Sequence, residues 1–182
     1  MVAQRFLIAL VAILSGTSAL ADGAPAGIIL FPSISVHRES NQQYGDQNGF
    51  PYDLRAGYII ANGVYFGALY TNQSVSGLYS RSETSLGNTI GYFTSNASIL
   101  FSYYITSAQS ESGPGTSFSR TGGTGFQVDA AMAYPLGWGI NIAPMLTYKS
   151  LVFDKIENLG VISPSATVQT SLNPYIGFQY VF

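Results

Sequence analysis

The chain has 182 residues, of which 47% are hydrophobic, 14% aromatic and only 9% charged, and its formal net charge is −2. Soluble domains carry about 25% charged residues, and disordered chains combine a high net charge with few aromatic residues. The composition therefore excludes disorder and is unusual for a domain that faces water on all sides. Seven basic residues argue against a nucleic-acid-binding surface. With no cysteine and one histidine in the sequence, we expect no disulfide bond, no multi-histidine metal site and no cofactor.

The N-terminus has the three parts of a secretory signal peptide. Arg5 precedes the unbroken apolar run 6–14, and a small-x-small cleavage site ending at Ala21 follows. The run has nine residues, too few to cross a bilayer as a helix. We expect residues 1–21 to be a signal peptide and residues 22–182 to form one exported domain.

Eight segments of that domain alternate between apolar residues and small or polar ones. This is the period of a β-strand whose two faces meet different surroundings. In a soluble sandwich the apolar face would be the core, whereas in a transmembrane barrel it faces lipid and the polar face lines the lumen. Eight strands are about the fewest that close into a barrel filled by side chains. In chain order the segments lie near 28–37, 53–60, 64–71, 86–93, 98–106, 126–134, 138–149 and 171–182.

The connections between these segments alternate in length. Of the 15 charged residues in 22–182, ten lie in the longer connections. Outer-membrane barrels have short periplasmic turns and longer outer loops. The pattern predicts an all-β, eight-stranded antiparallel transmembrane β-barrel of up-and-down topology with both termini in the periplasm. The tight connections are 62–63, 94–96 and 135–137, and the longer ones are 38–50, 74–84, 108–122 and 153–164.

The last strand carries the most specific part of the pattern, a series of alternating apolar residues formed by Ile176, Phe178, Tyr180 and Phe182. This series is similar to the C-terminal signal that the barrel-assembly machinery reads. The organisation as a whole resembles the small outer-membrane barrels of Gram-negative bacteria, such as the OmpA transmembrane domain and OmpX. The resemblance implies a monomer in the bacterial outer membrane, assembled by that machinery and in contact with outer-membrane lipids and lipopolysaccharide. It implies no particular activity.

The segment from Pro32 to His37 is similar to the first strand of the outer-membrane lipid A palmitoyltransferase family, where a proline precedes the catalytic histidine by five positions. That resemblance implies His37 as a general base. Asp53 faces inward on the next strand at a similar predicted height, and Ser35 shares the face of His37, so an orienting group and a nucleophile are nominally present. The acid of that family's catalytic Asp-Ser pair has no counterpart in 71–74. A lipid acyltransferase or deacylase is therefore the alternative to a structural, surface-interaction or narrow-pore barrel.

Other inward-facing polar residues lie at a common predicted depth. Arg55 and Asp129 carry opposite charges, and charges in a narrow interior are costly unless they are paired. We expect an ion pair between them across the lumen. With Tyr175, Gln127 and Asn141 they are predicted to form a polar plug, which is either static or the gate of a small ion channel.

Three prolines, Pro32, Pro144 and Pro174, interrupt the apolar faces of the first, seventh and eighth predicted strands. These strands are neighbours when the barrel closes. Proline lacks the N–H that the ladder needs and is found at edges and bulges. The sequence therefore predicts a weakened closing seam, which either is only bulged or opens sideways for lipid.

Overall fold

The computed structural model describes residues 26–41, 45–60, 62–77, 79–114, 116–158 and 161–182. The predicted signal peptide lies outside these residues. Within the described part of the chain, no helix combines the length and the hydropathy needed to cross a bilayer.

The described residues form ten β-strands that pair in one antiparallel sheet. β2 continues β1 and β8 continues β7. The ten strands therefore form eight continuous strands around the barrel, and each of these eight is called a stave here. The sheet closes because β1 pairs with both β3 and β10. The predicted eight-stranded up-and-down barrel is confirmed. The strands are β1 (Gly27–Ile34), β2 (His37–Asn41), β3 (Gly45–Ile59), β4 (Val64–Ser76), β5 (Ser80–Phe93), β6 (Ala97–Gly113), β7 (Thr116–Met132), β8 (Tyr134–Gly137), β9 (Ile140–Asn158) and β10 (Val161–Val181).

The two ends of the barrel differ. One end, called here the terminal end, holds Gly27, Phe182 and the three tight connections. At the connection after β5, the Thr94 hydroxyl accepts a hydrogen bond from the N–H of Ala97 at 2.9 Å. Gly63, in the turn after β3, has a φ of 85°, which favours glycine because it lacks a Cβ. The opposite end is called the far end.

The long outer loops predicted at the far end are wrong, because the strands continue through most of those segments. β6 and β7 pair as far as Gly113 and Thr116, and β9 and β10 pair as far as Asn158 and Val161. Most residues of β6 and β7 in these segments are polar or small, and the apolar residues at the β9–β10 end, such as Ile156, Val161 and Ile162, do not alternate regularly with polar ones. The two-residue hydrophobic period therefore fades although the hydrogen-bonded ladder continues.

Inward and outward faces alternate along the strands as predicted. On β10, Tyr175 and Gln179 are buried, whereas Ile176 and Phe178 are exposed on the outer surface. One predicted position is wrong: Thr106 is exposed, because a bulge in β6 after Tyr104 shifts the inward parity to Ser107 and Gln109. A bulge adds one residue to one strand and so reverses the faces beyond it.

Two apolar clusters occupy the interior. The terminal-end cluster comprises Ile29, Phe31, Ile59, Tyr65, Phe93, Leu100, Ala131, Ala143, Met145 and Tyr175. The smaller cluster comprises Leu69, Tyr104, Leu151 and Phe153. Aromatic rings pack edge to face in the first cluster, with the Phe93 ring 5.4 Å from that of Tyr65 and 6.4 Å from that of Phe31. Polar side chains lie beside and between the clusters and form the candidate site.

Candidate functional site in the barrel interior

The central ion cluster lies where the inward faces of β1, β3, β7 and β9 meet. Nη2 of Arg55 lies 2.6 Å from Oδ2 of Asp129 and 3.2 Å from Oδ2 of Asp53. Nη1 of Arg55 donates a hydrogen bond to Ser33 Oγ at 3.3 Å. None of these residues is more than 3% exposed. The structure thus brings Arg55 and Asp129 into direct contact across the lumen.

Neutral donors complete the cluster. Nε2 of Gln127 donates to Oδ2 of Asp53 and to Oδ1 of Asp129, each at 2.9 Å. The Thr147 hydroxyl donates to Asp129 at 2.7 Å, and the Tyr104 hydroxyl donates to the side-chain oxygen of Gln127. Each carboxylate therefore accepts bonds from the guanidinium and at least one amide. Buried charges are tolerated when they are both paired and hydrogen-bonded in this way.

A second ion pair, the outer ion pair, lies on the far side of the central cluster. Nζ of Lys149 lies 2.5 Å from Oε1 of Glu83 and donates to the Thr71 hydroxyl at 3.1 Å. The same ammonium lies 4.8 Å from the centre of the Tyr104 ring. Because the hydroxyl of that tyrosine reaches Gln127, Tyr104 connects the outer ion pair to the central ion cluster.

Amide side chains cross the lumen nearer the far end. Nε2 of Gln109 donates to Oε1 of Gln169 at 3.1 Å, and Nε2 of Gln169 donates back to Oε1 of Gln109 at 2.9 Å. Nη1 of Arg120 donates to the same Gln109 oxygen at 2.5 Å. β6, β7 and β10 are joined by these bonds.

Two cavities lie on opposite sides of the central ion cluster. The far cavity, about 390 Å³, is lined by Gln73, Arg81, Glu83, Lys149, Leu151, Gln169, Thr170, Ser171, Leu172 and Asn173. The terminal cavity, about 410 Å³, is lined by Ala26, Ile59, Phe93, Thr94, Ser95, Gly139, Asn141, Gln179, Val181 and Phe182.

The other two residues expected in the plug differ in position. Tyr175 is buried in the terminal-end apolar cluster, opposite Met145, and interacts electrostatically with Asp53, Arg55 and Asp129 of the central ion cluster. Asn141 lies opposite Gln179 beside the terminal cavity. On the same strand Thr147 reaches the cluster, and six residues of strand span about 20 Å. The structure does not bring Asn141 to the central ion cluster, because the strands of a barrel are tilted and staggered and counting from the turns misjudges depth.

The predicted catalytic pair, His37 and Asp53, lies at two different levels of the barrel. The backbone of His37 lies opposite Gly49, whereas that of Asp53 lies opposite Ser33. Ser33 and His37 are four residues apart, about 13 Å of strand, so the register does not place His37 level with Asp53. The Asp53 carboxylate is instead part of the central ion cluster. The side chain of His37 lies outside what the structure describes, and its catalytic role stays a prediction.

Ser35, the predicted nucleophile, has another partner. Its hydroxyl donates a hydrogen bond to the carbonyl oxygen of Pro174 at 2.5 Å, and its N–H donates to the carbonyl of Pro51 at 2.9 Å. Ser35 therefore ties the first stave to β10 at the proline-containing seam.

Sequence reasoning missed the outer ion pair. Glu83 was assigned to a loop, so nothing inside the barrel remained to pair with Lys149. The sequence feature that could have revealed this pair is the position of Lys149 on the inward face of β9, two residues from Thr147. Among the described residues, no group of three histidine, aspartate or glutamate side chains is placed to hold a metal ion.

A solved structure has a similar fold. Neisserial surface protein A, NspA, is 16% identical with a TM-score of 0.56, and the match covers 85% of this chain and 96% of that one. The translocator domain of the autotransporter NalP from Neisseria meningitidis is 16% identical with a TM-score of 0.46, and the match covers 94% of this chain and 66% of that one. The Yersinia pestis outer membrane protein Ail is 13% identical with a TM-score of 0.45, and the match covers 86% of this chain and 99% of that one. No protein-family model and no curated protein matches the chain. The closed ring of eight staves thus has the fold of the small outer-membrane β-barrels.

Proposed function

We propose that the chain is an integral protein of the bacterial outer membrane, a closed barrel with a structural or surface-interaction role. The observation that carries this proposal is the burial of the central ion cluster. Arg55, Gln127 and Asp129 are each 1% exposed, although all three face the lumen. In a water-filled pore such side chains would be hydrated, so their burial favours a barrel that is shut at this level.

The outer surface supports the membrane location. Between the aromatic residues near the terminal end and those farther along, no described outward-facing side chain is charged. Outer-membrane barrels have such an apolar band between two aromatic girdles. The exposed aromatic residues near the terminal end include Tyr58, Phe66, Tyr92, Tyr134, Trp138, Tyr180 and Phe182, and those on the far side of the band include Phe50, Tyr52, Tyr103 and Phe126.

The lengths of the strands support a surface role. β9 has 19 residues and β10 has 21, whereas about 9–11 residues cross the membrane as a tilted strand. With the terminal end in the periplasm, the far half of the barrel projects outward as paired, polar hairpins. Among the side chains that the structure describes there, the exposed charges are Asp154, Lys155 and Glu157 at the tip of β9. This projection can contact lipopolysaccharide or a partner surface.

Membrane insertion is tested on cell envelopes and on the purified chain. We expect the chain to remain in the membrane after a carbonate wash and to migrate differently in detergent gels before and after heating. Release by carbonate would contradict the integral-membrane proposal.

A narrow, gated pore is the second candidate, and the two cavities on either side of the central ion cluster favour it. In planar bilayers the unmodified protein is expected to show no conductance, because the central ion cluster is buried and blocks the lumen. Asp129→Asn keeps the size of the side chain but removes the charge that pairs with Arg55. Stepwise conductance in this variant would support a gate, and silence of both proteins at all voltages would leave the closed barrel. Lys155→Gln, outside the lumen, is the control.

A further inference from the structure

The ladder that closes the barrel is short on one side. β1 and β10 pair from Ile29–Val181 to Ile34–Ile176, and no pairing with β10 is found for the described backbone of β2, which pairs with β3. By contrast, β10 stays paired with β9 as far as Val161. Beyond Ile176, toward the far end, one edge of β10 therefore has no strand partner among the described residues.

The far cavity lies beside this unpaired edge. The five residues of β10 that line the cavity, 169–173, lie in the part of β10 that has no strand partner on the side facing β1 and β2. The side chains of Thr170 and Leu172 are exposed on the outer face, yet both residues line the cavity. The cavity thus extends to the edge of β10 instead of ending within the ring.

The height of this opening matches the outer boundary of the apolar band. Its lower margin is formed by the pair Ile34–Ile176 and by the hydrogen bond from the Ser35 hydroxyl to the carbonyl oxygen of Pro174, and Ile34 also lies opposite Tyr52 of the far-side aromatic residues. Leu172 lies opposite Tyr148 on β9. Aromatic residues of membrane proteins mark the level of the lipid headgroups. The opening therefore faces headgroups and not the centre of the bilayer.

The chemistry of the cavity fits an anion. Its cations are Arg81 and Lys149, and the ammonium of Lys149 is paired with Glu83. Nε of Arg81 is a buried donor with no hydrogen-bond partner. Amide and hydroxyl groups of Gln73, Gln169, Ser171 and Asn173 supply further donors. An arginine with surrounding neutral donors suits a phosphate group, which accepts several hydrogen bonds at once.

We propose that the far cavity binds the phosphate-bearing headgroup of an outer-leaflet lipid, which enters sideways between β2 and β10 while its acyl chains stay on the outer face. Arg81 is the principal contact of the phosphate. This proposal rests on the outer-membrane location proposed above.

The test uses the full barrel in nanodiscs of a phosphate-free glycolipid that contain either phosphatidic acid or diacylglycerol. The two lipids have the same acyl chains and differ in the phosphate. Lipid that stays bound is counted by native mass spectrometry. We expect phosphatidic acid to be retained at least about tenfold more strongly than diacylglycerol, and Arg81→Gln to remove most of that difference, because a hydrogen bond to a charged group is lost. Lys155→Gln, an equal charge change at an exposed site, should retain lipid like the unmodified protein.

A second variant, Ser171→Trp, fills the cavity from β10 and should also abolish retention. Undiminished binding in both Arg81→Gln and Ser171→Trp would overturn the site. Displacement of the lipid by excess inorganic phosphate would overturn the sideways route, since it would identify an anion site open to water. Heat-modifiable migration shows that each variant folds, and its absence in the unmodified protein would count against the proposed function and not against the headgroup site.

Discussion

The central ion cluster and the far cavity are built from the same kinds of residue but differ in the sheet around them. Arg55 lies on a strand paired on both sides, and its ion partners are within 3.2 Å. Arg81 lines a cavity whose β10 wall is paired on one side only, and among the described side chains no ion pair of Arg81 is found. A complete ladder holds opposite charges in fixed register, whereas a gap in the ladder leaves space beside a cation. The difference separates a part of the lumen that stabilises the barrel from one that is free to bind.

The largest effect is expected from removing the central cation. Arg55→Ala leaves the carboxylates of Asp53 and Asp129 buried without a counter-charge, which costs about 3–5 kcal/mol. Arg81→Ala, the same change beside the far cavity, should cost less than about 1 kcal/mol. The measurement is the free energy of unfolding from urea titrations in phospholipid vesicles. Equal losses in the two variants would contradict the distinction between the two regions.

A smaller effect is expected at the outer ion pair, which lies between the two regions. A double-mutant cycle of Lys149→Ala and Glu83→Ala should give a coupling free energy of about 1–3 kcal/mol, because the two charges are in contact and nearly buried. The same cycle with Lys149→Ala and Glu157→Ala, an exposed carboxylate, should give none. A coupling below about 0.5 kcal/mol in the first cycle would mean that the pair is too hydrated to hold the lumen closed.

The smallest effect concerns motion at the seam and leaves stability unchanged. In hydrogen exchange, the amides of β10 within 168–173 that point away from β9 should exchange on the order of tenfold faster than those within 176–180. Amides of β9 within 146–152, which has neighbours on both sides, are the control. Uniform protection along β10 would mean that another segment covers the edge, and the lateral route would then be closed.

The alternation of residues by itself determined the barrel, because a period of two distinguishes lipid from lumen wherever one face of a strand meets hydrocarbon. It also placed Arg55, Gln127 and Asp129 on the inward face, since parity is a local property. Toward the far end of β6 the hydrophobic period fades, so the continuation of β6 to Gly113, through residues whose pattern predicts a loop, could not be predicted.

Apart from the Arg55–Asp129 pair, which the sequence predicts, tertiary structure decided which inward residues meet across the lumen. Because the strands are staggered, the residue of β9 that reaches the central ion cluster is Thr147, about 20 Å along the strand from Asn141. The stagger also brought Glu83 to Lys149, although the sequence predicts a loop for the segment that contains Glu83. Asp53 and Arg55 are two positions apart on β3, so their contact is local, whereas the register of β2 and β1 against β3 places His37 and Asp53 at different levels. Parity depends on neighbours in the chain, but depth depends on the tilt and register of all eight staves, which no single segment of sequence contains.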